Sequence, residues 1–192
     1  MRCSMTYEVI AIGASWGGLE AMGTLLEGIP QDLDQAIVVA QHRSPEAGRG
    51  VLEALLQRHV ERPVTEPGDK ELIEPGRVYV APPDYHLLVD GGRFALSLEA
   101  RVQYARPSID VLFESVADGY RERAIGIVLT GANKDGAAGL AAIKRNGGVS
   151  IVQDPHTASR RTMPDAALEA SAVDAVLPLD EIGAFLYGLC CP

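Results

Sequence analysis

The chain has 192 residues, 47% hydrophobic and 22% charged, which is enough to bury a substantial core within one globular domain. Its formal net charge is −9 and its 17 Lys and Arg residues are dispersed, so no basic patch is available to bind nucleic acid. No apolar run reaches the roughly 20 residues that cross a bilayer, and the N-terminus lacks a signal-peptide pattern, so we expect a cytoplasmic protein without membrane insertion.

Short apolar runs alternate with amphipathic segments along most of the chain, which is typical of βαβ units built on a parallel sheet. The continuously apolar runs predict strands buried on both faces, at residues 7–12, 36–40, 124–129, 149–153 and 175–177. Helical periodicity and capping residues predict helices at residues 18–26, 47–59, 108–120, 136–145, 164–171 and 180–189.

One section, residues 77–99, breaks this alternation. Its two strand-like runs are joined by Asp90, Gly91 and Gly92, which is typical hairpin chemistry. We therefore predict an α/β fold: a doubly wound, mostly parallel sheet with helices on both faces and an antiparallel hairpin at one edge. No linker or repeat divides the chain, so we expect a single domain over residues 1–192.

The first predicted strand runs into a glycine-rich turn, GASWGG, which has two competing interpretations. As a phosphate-binding loop it matches neither G-x-G-x-x-G nor the P-loop pattern, because Leu19 and Glu20 follow Gly18. The second strand also ends in Gln41 and His42 rather than in the acidic residue that binds a ribose. The sequence therefore predicts no nucleotide cofactor.

The same turn also matches the nucleophile pattern G-x-S-x-G at Gly13, Ser15 and Gly17. A serine between a strand and a helix presents its hydroxyl to backbone N–H groups that can stabilise an oxyanion. A serine at this place is equally often a simple helix cap, so the motif alone leaves both roles open.

Other polar residues follow the predicted parallel strands, whose carboxyl ends form the edge where α/β folds build their sites. His42 follows the second strand, and Asp135 lies in TGANKDG after a later one. With Ser15 they have the composition of a serine hydrolase triad. Each could instead be a loop or turn residue, and the rival pair Asp154 and His156 also follows a strand. The spacing does not decide between the two aspartates.

Several long motifs occur in one order: IGASWGG, VVAQHRSP, VYVAPPDYHLLV, RPSIDVLFESVA and VLTGANKDGAAGLAAIKRNGG. Over roughly residues 9–186, the chain resembles the catalytic domain of the chemotaxis protein-glutamate methylesterases, CheB. This resemblance implies Ser15 as nucleophile, His42 as general base and Asp135 as the carboxylate that orients the histidine. The order Ser, His, Asp also differs from ordinary α/β-hydrolases, which run Ser, Asp, His.

The resemblance further implies hydrolysis of glutamate γ-methyl esters, and deamidation of glutamines, on the cytoplasmic helices of chemoreceptors. Backbone N–H groups near Trp16 and around Ala132 would form the oxyanion hole. No cofactor is implied, and the three cysteines lack metal-ligand spacing, so no metal is predicted. Two alternatives remain: a non-catalytic chemosensory adaptor of the same fold, and an esterase for another carboxylic ester.

The chain departs from the family pattern in three ways. Family members carry a receiver domain before the esterase, whereas about half a dozen residues precede the first strand here, as in a stand-alone esterase or an excised catalytic part. Trp16 replaces a small or hydroxyl residue and either lines the pocket or packs as surface. GANKDG replaces GMGNDG, which puts Asn133 in place of glycine.

Four arginines are expected at the active edge, the edge of the sheet that carries the site: Arg43, Arg106, Arg160 and Arg161. They either meet acidic receptor helices or are solvated.

Overall fold

The computed structural model describes residues 7–44 and 46–191. Their strands are β1 Val9–Ala14, β2 Ala36–Gln41, β3 Val64–Thr65, β4 Val78–Val80, β5 His86–Asp90, β6 Arg93–Ser97, β7 Ala124–Val128, β8 Val149–Gln153 and β9 Ala175–Leu177. Seven of them form one sheet in the order β3-β4-β2-β1-β7-β8-β9. Every neighbouring pair in that sheet is parallel, which confirms the predicted α/β class.

The central strands are apolar throughout because both faces of the sheet are covered. Along β1, Val9 and Ala11 point into one hydrophobic cluster, and Ile10 and Ile12 point into another on the opposite face. All four side chains are buried. The alternation of side chains along a strand therefore gives the molecule two core layers, one on each side of the sheet.

The helices divide between these two layers. Their bounds are α1 Gly18–Gly28, α2 Val51–Leu56, α3 Ile109–Tyr120, α4 Ala137–Arg145, α5 Thr162–Ala170 and α6 Leu179–Cys190. The first, second and sixth pack on one face, and the third, fourth and fifth pack on the other, as predicted for a doubly wound sheet. Among the described residues, no helix combines the length and the apolar character that a membrane crossing requires.

The predicted hairpin is present, but it is placed differently. Strands β5 and β6 pair with each other in a separate two-stranded sheet and make no ladder with the seven-stranded one. Leu87, Val89 and Phe94 pack the hairpin into the core layer that contains α3. The start of the predicted first hairpin strand is instead β4, a parallel strand of the main sheet. Pro82 and Pro83 separate the two strands, because proline cannot continue a ladder.

The chain order reverses across β1. From β1 the chain passes to β2 and β4 on one side, and the strands from β7 onward lie on the other side. Such a switch point opens a crevice at the carboxyl ends of the strands, which is where ligands bind in open α/β sheets. The segments that follow β1, β2 and β7 therefore meet at one place, and they contain Ser15, His42 and Asp135.

Candidate active site

Ser15 lies in a turn that is hydrogen-bonded on both sides. Its N–H donates to the Thr130 carbonyl at 3.0 Å, and its carbonyl accepts from Gln41 Nε2 at 2.8 Å. The left-handed residue of the turn is Gly17, with φ of 75°, and a Cβ there would lie 2.8 Å from Ser159 Cβ. Ser15 itself does not have a positive φ. The glycine thus makes the bend, and the serine is held without the backbone strain of a nucleophile elbow.

His42 and Asp135 are in direct contact. His42 Nε2 lies 2.7 Å from Asp135 Oδ2, and the two side chains are 12% and 0% exposed. The His42 N–H donates to the Ala14 carbonyl at 3.1 Å, which extends the β1–β2 ladder by one residue, up to the start of the Ser15 turn. The structure therefore pairs these two predicted site residues next to the turn that carries the third.

Asp135 is also bound by the N-terminus of α3. Its two carboxylate oxygens accept the backbone N–H of Ile109 at 2.7 Å and of Asp110 at 2.9 Å, and the Ser108 hydroxyl at 2.9 Å. The free N–H groups and the dipole of a helix N-terminus stabilise a carboxylate there. The residues SID of the RPSIDVLFESVA motif thus hold the carboxylate that faces His42.

The pKa values of two buried carboxyl groups at this site shift in opposite directions. Burial raises the pKa of Asp135, but the hydrogen bonds from His42 and from the α3 backbone outweigh it and bring the pKa below 3.8. Burial raises the pKa of Asp110 to about 6, although Gly139 and Gly136 donate backbone hydrogen bonds to it and lower it in part. Asp135 is therefore the ionised partner of His42, and Asp110 holds the loop that carries Asp135.

Asn133 contacts the other ring nitrogen of His42. Its Nδ2 lies 3.1 Å from His42 Nδ1, while its Oδ1 accepts the Asp135 N–H at 3.1 Å. Because the Asn133 oxygen already faces a donor, the amide nitrogen is the atom that faces the ring. His42 therefore donates from Nε2 to Asp135 and accepts at Nδ1 from Asn133.

Trp16 and Ala132, the residues proposed for the oxyanion hole, lie in the segments that follow β1 and β7. Within residues 7–44 and 46–191, neither backbone N–H donates a hydrogen bond. The Trp16 ring is 64% exposed, and the Arg160 guanidinium lies over it, 5.6 Å from its centroid. Thr130 Oγ1 donates to the Trp16 carbonyl at 3.0 Å, which fixes the peptide unit rather than the ring.

A cavity of about 300 Å³ opens beside His42. Its lining residues are His42, Arg43, Arg101, Gln103, Tyr104, Ala105, Arg106 and Asn133. Trp16 is not among them, so the structure supports its role as exposed surface at the start of α1 rather than as a wall of this cavity. The cavity is thus lined by His42 and by the Asn133 amide that contacts it.

Among the described residues, none of the other candidates makes a side-chain hydrogen bond to His42 or Asp135, although Arg43 and Arg106 line the same cavity. Asp154 accepts the backbone N–H of His156 at 2.9 Å in a local turn, and His156 is exposed. Of the four arginines expected at the active edge, Arg43 binds Glu66 at 2.7 Å, and Arg106 binds Asp84 at 2.8 Å. Arg161 pairs with Asp165, and Arg160 stacks on the Trp16 ring.

Sequence reasoning missed several residues that build the site. Ser108 and Asp110 had a usable signal, because they stand at a helix start within a recognised motif. Gln103 donates to Asp110 Oδ2 at 3.0 Å, and Thr130 joins the Ser15 turn to the Arg160 segment. Neither set of contacts follows from periodicity: Asp110 lies seven residues after Gln103, beyond a turn and a helix start, and the partners of Thr130 are 30 and 114 residues away. In the sequence, Asn133 stands out only as a departure from the GMGNDG motif.

The parallel sheet, the switch-point crevice and the bonded His–Asp pair beside a serine turn have the architecture of an α/β serine hydrolase. The CheB methylesterase family profile matches residues 10–186. The chain therefore belongs to the CheB methylesterase family.

Individual relatives agree with this assignment. A protein-glutamate methylesterase/protein-glutamine glutaminase of Hahella chejuensis is 42% identical over 183 residues, which cover 93% of this chain and 50% of that protein. A Leptospira interrogans protein named as a putative protein-glutamate methylesterase/protein-glutamine glutaminase is 46% identical over 179 residues. The match covers 93% of this chain and 92% of that protein. The crystal structure of the Thermotoga maritima CheB methylesterase catalytic domain superposes with a TM-score of 0.89 at 32% identity, covering 95% of this chain and 98% of that one. This chain thus spans half of the Hahella relative and nearly all of the Leptospira one.

Proposed function

We propose that residues 1–192 form a single catalytic domain that hydrolyses glutamate γ-methyl esters on the cytoplasmic helices of chemoreceptors, and deamidates glutamines on the same helices. The observation that carries this proposal is the His42–Asp135 hydrogen bond of 2.7 Å beside the Ser15 turn, in a chain of the CheB methylesterase family. A His–carboxylate pair next to a serine hydroxyl is the arrangement that activates serine for acyl transfer.

In the proposed reaction the Ser15 Oγ attacks the side-chain carbonyl carbon of the substrate, and His42 takes the hydroxyl proton. The carbonyl oxygen becomes an oxyanion. The N–H groups of Trp16 and Ala132, which have no partner among the described residues, are suited to bind it. His42 then returns the proton to the leaving methoxide or amine, which departs as methanol or ammonia. Water next attacks the acyl-serine through the same base and releases the glutamate carboxylate.

The contacts of His42 favour one of its two ring nitrogens as the acceptor of the serine proton. Nε2 is bound to Asp135, whose ionised carboxylate stabilises the imidazolium that forms. The proton acceptor in this protein is therefore Nδ1. Asp135, which four donors hold in place, orients the ring for that transfer.

The rim of the cavity supports a polypeptide substrate. Tyr104 is 96% exposed beside the cavity, and the charged side chains of Arg101 and Lys134 are exposed on the same rim. A methyl-accepting helix is rich in glutamate, so its unesterified carboxylates would be attracted to these cations. An enzyme with a net charge of −9 requires such local positive charge to approach an acidic partner.

The experiment is to incubate the protein with receptor-containing membranes labelled at the methyl ester and to measure volatile methanol. We expect release by the wild-type protein and none by Ser15→Ala. The matched control is Ser159→Ala, an exposed serine at the same edge, which should retain full release. Full release by Ser15→Ala would show that the nucleophile is wrong.

The same assay separates the two alternative functions. Binding to the membranes without methanol release, by a wild-type protein that is folded, would indicate a non-catalytic adaptor. Hydrolysis of small esters without any action on receptor methyl esters would indicate an esterase for another substrate. Ser15-dependent methanol release from the receptor would exclude both.

A further inference from the structure

Asn133 makes two hydrogen bonds that fix its side chain against the general base. Its oxygen accepts the Asp135 N–H, in the i to i+2 pattern of an Asx turn, and its amide nitrogen donates to His42 Nδ1, both at 3.1 Å. A glycine at this position, as in the GMGNDG motif, could make neither bond. This contact therefore depends on the residue at which the chain departs from the GMGNDG motif.

An imidazole nitrogen has one in-plane lone pair and can accept only one strong hydrogen bond. Nε2 is already engaged with Asp135, so Nδ1 is the one nitrogen of His42 that can take the Ser15 proton. In the structure that lone pair is occupied by the Asn133 amide. The Asn133–His42 contact and deprotonation of Ser15 by His42 are mutually exclusive.

We propose that Asn133 is a latch on the general base: it holds His42 in a state that cannot activate Ser15, and it must move before the reaction begins. The inference rests on the proposed function, since it assumes that His42 deprotonates Ser15. The latch lines the same cavity as His42 and Tyr104, so a substrate that enters the cavity meets the Asn133 side chain. Asn133 is thus a positioning residue that acts through His42.

The test uses a small reagent that reports on serine activation without receptor binding. Phenylmethanesulfonyl fluoride forms an Oγ–S bond with the serine while the S–F bond breaks, fluoride leaves and His42 takes the hydroxyl proton. The rate of modification at Ser15, measured by mass spectrometry, is compared for the wild-type protein, Asn133→Ser, Asn133→Ala and the control Gln31→Ala. Gln31 is an exposed amide between α1 and β2, at the amino end of the strand whose carboxyl end leads to His42.

Asn133→Ser separates the latch from the loop. A serine hydroxyl can still accept the N–H two residues on, as Ser and Thr do in turns, but it is too short to reach the His42 ring. We expect both Asn133 variants to be modified about three to ten times faster than the wild-type protein. This is the factor by which one ordinary hydrogen bond favours the latched state of His42 over the free state. Gln31→Ala should react at the wild-type rate.

A wild-type or slower rate in Asn133→Ser would overturn the latch, because that variant keeps the turn and loses only the donor to His42. Labelling of Ser15 in every protein at one rate would leave the proposed nucleophile intact and reject the latch alone. If Ser15 is labelled in none of the proteins, its role as nucleophile is rejected, and the latch is rejected with it.

Discussion

Asp135 is a buried carboxylate whose contacts join the fold to the proposed catalytic site. It is fully buried, and its oxygens accept from His42, Ser108 and two backbone N–H groups at the start of α3. Burying a charge is expensive unless hydrogen bonds compensate it, and here four donors do so. The carboxylate that contacts His42 is therefore also the anchor between the β7 segment and α3.

This dual role predicts that Asp135→Asn costs stability as well as activity. The new NH₂ group would face donors that now meet an oxygen, and each unsatisfied buried donor costs about 1–3 kcal/mol. We expect the melting temperature to fall by about 3–10 °C and ester hydrolysis to fall on the order of a thousandfold or more. Thermal unfolding and the small-ester kcat measure the two effects.

Ser15→Ala is the matched control for this prediction. Among the described residues, the Ser15 hydroxyl makes no hydrogen bond, so its removal should leave the melting temperature unchanged while abolishing activity. An Asp135→Asn protein that melts with the wild-type protein would show that the α3 N-terminus does not depend on this carboxylate.

At the scale of single residues, the sequence was informative where function needs a residue type in a motif. Ser15, His42 and Asp135 could be named because each follows a buried strand and matches a long motif; their catalytic roles stay a prediction. The preference for Asp135 over Asp154 rests on the resemblance. Sequence spacing does not show that the N-terminus of α3 lies next to Asp135 and donates hydrogen bonds to its carboxylate. The Asn133–His42 contact depends on side-chain geometry that no local pattern records.

At the scale of elements, periodicity predicted what packing enforces. The strands at 149–153 and 175–177 have the predicted bounds, and β1, β2 and β7 differ by one or two residues. The helix predicted at 47–59 is only Val51–Leu56, because Gly50 has a φ of 80° before it and the Gln57 side chain binds the chain that turns away after it. The short strands β3 and β4 have too few residues to show a period.

The turn at residues 102–105 had no sequence signal at all. Val102 and Ala105 exchange backbone hydrogen bonds at 3.1 and 2.9 Å around Gln103 and Tyr104, whose φ values are 48° and 65°. Such two-residue turns normally contain Asn and Gly, since left-handed conformations cost other residues roughly 1–2 kcal/mol each. Gln103 compensates by donating to Asp110, and Arg106 secures the chain beyond the turn through Asp84.

This turn predicts a substrate contact, because it holds an aromatic ring in solvent at the cavity rim. Tyr104→Ala should raise the KM for receptor helices about five- to tenfold, as expected from one aromatic contact of about 1–1.5 kcal/mol, with kcat little changed. Hydrolysis of p-nitrophenyl acetate should not change, because that ester is too small to reach Tyr104. Steady-state kinetics on both substrates measures the split.

Tyr187→Ala provides the matched control, because Tyr187 is also exposed but lies on α6, which packs on the opposite face of the sheet from α3. It should leave both substrates unaffected. Equal kinetics for Tyr104→Ala and the wild-type protein on receptor membranes would remove Tyr104 from the substrate surface, without bearing on the catalytic residues.

At the scale of the whole molecule, the site adds two opposing pH-dependent terms to folding stability. The folded-state pKa of Asp135 is below 3.8, so its stabilisation is present above about pH 4 and is lost as the pH falls. Asp110 has a folded-state pKa of about 6, above its ordinary value of 3.8. Between those values the folded protein retains a proton that the unfolded chain has released, so stability falls as the pH rises through this window.

Asp110→Asn should remove the second term. The asparagine keeps an oxygen for the Gly136 and Gly139 N–H groups and carries no charge at any pH. Between pH 5 and pH 7.5, we expect the wild-type free energy of unfolding to fall by about 1 kcal/mol more than that of the variant. Urea denaturation followed by circular dichroism at the two pH values measures this difference. A loss of stability in the variant that is the same at both pH values does not affect the comparison. Asp118→Asn, an exposed position on the same helix, should retain the wild-type dependence. Parallel curves for Asp110→Asn and the wild-type protein would mean that Asp110 is ionised throughout this range and that the loop carrying Asp135 is held by a charged carboxylate.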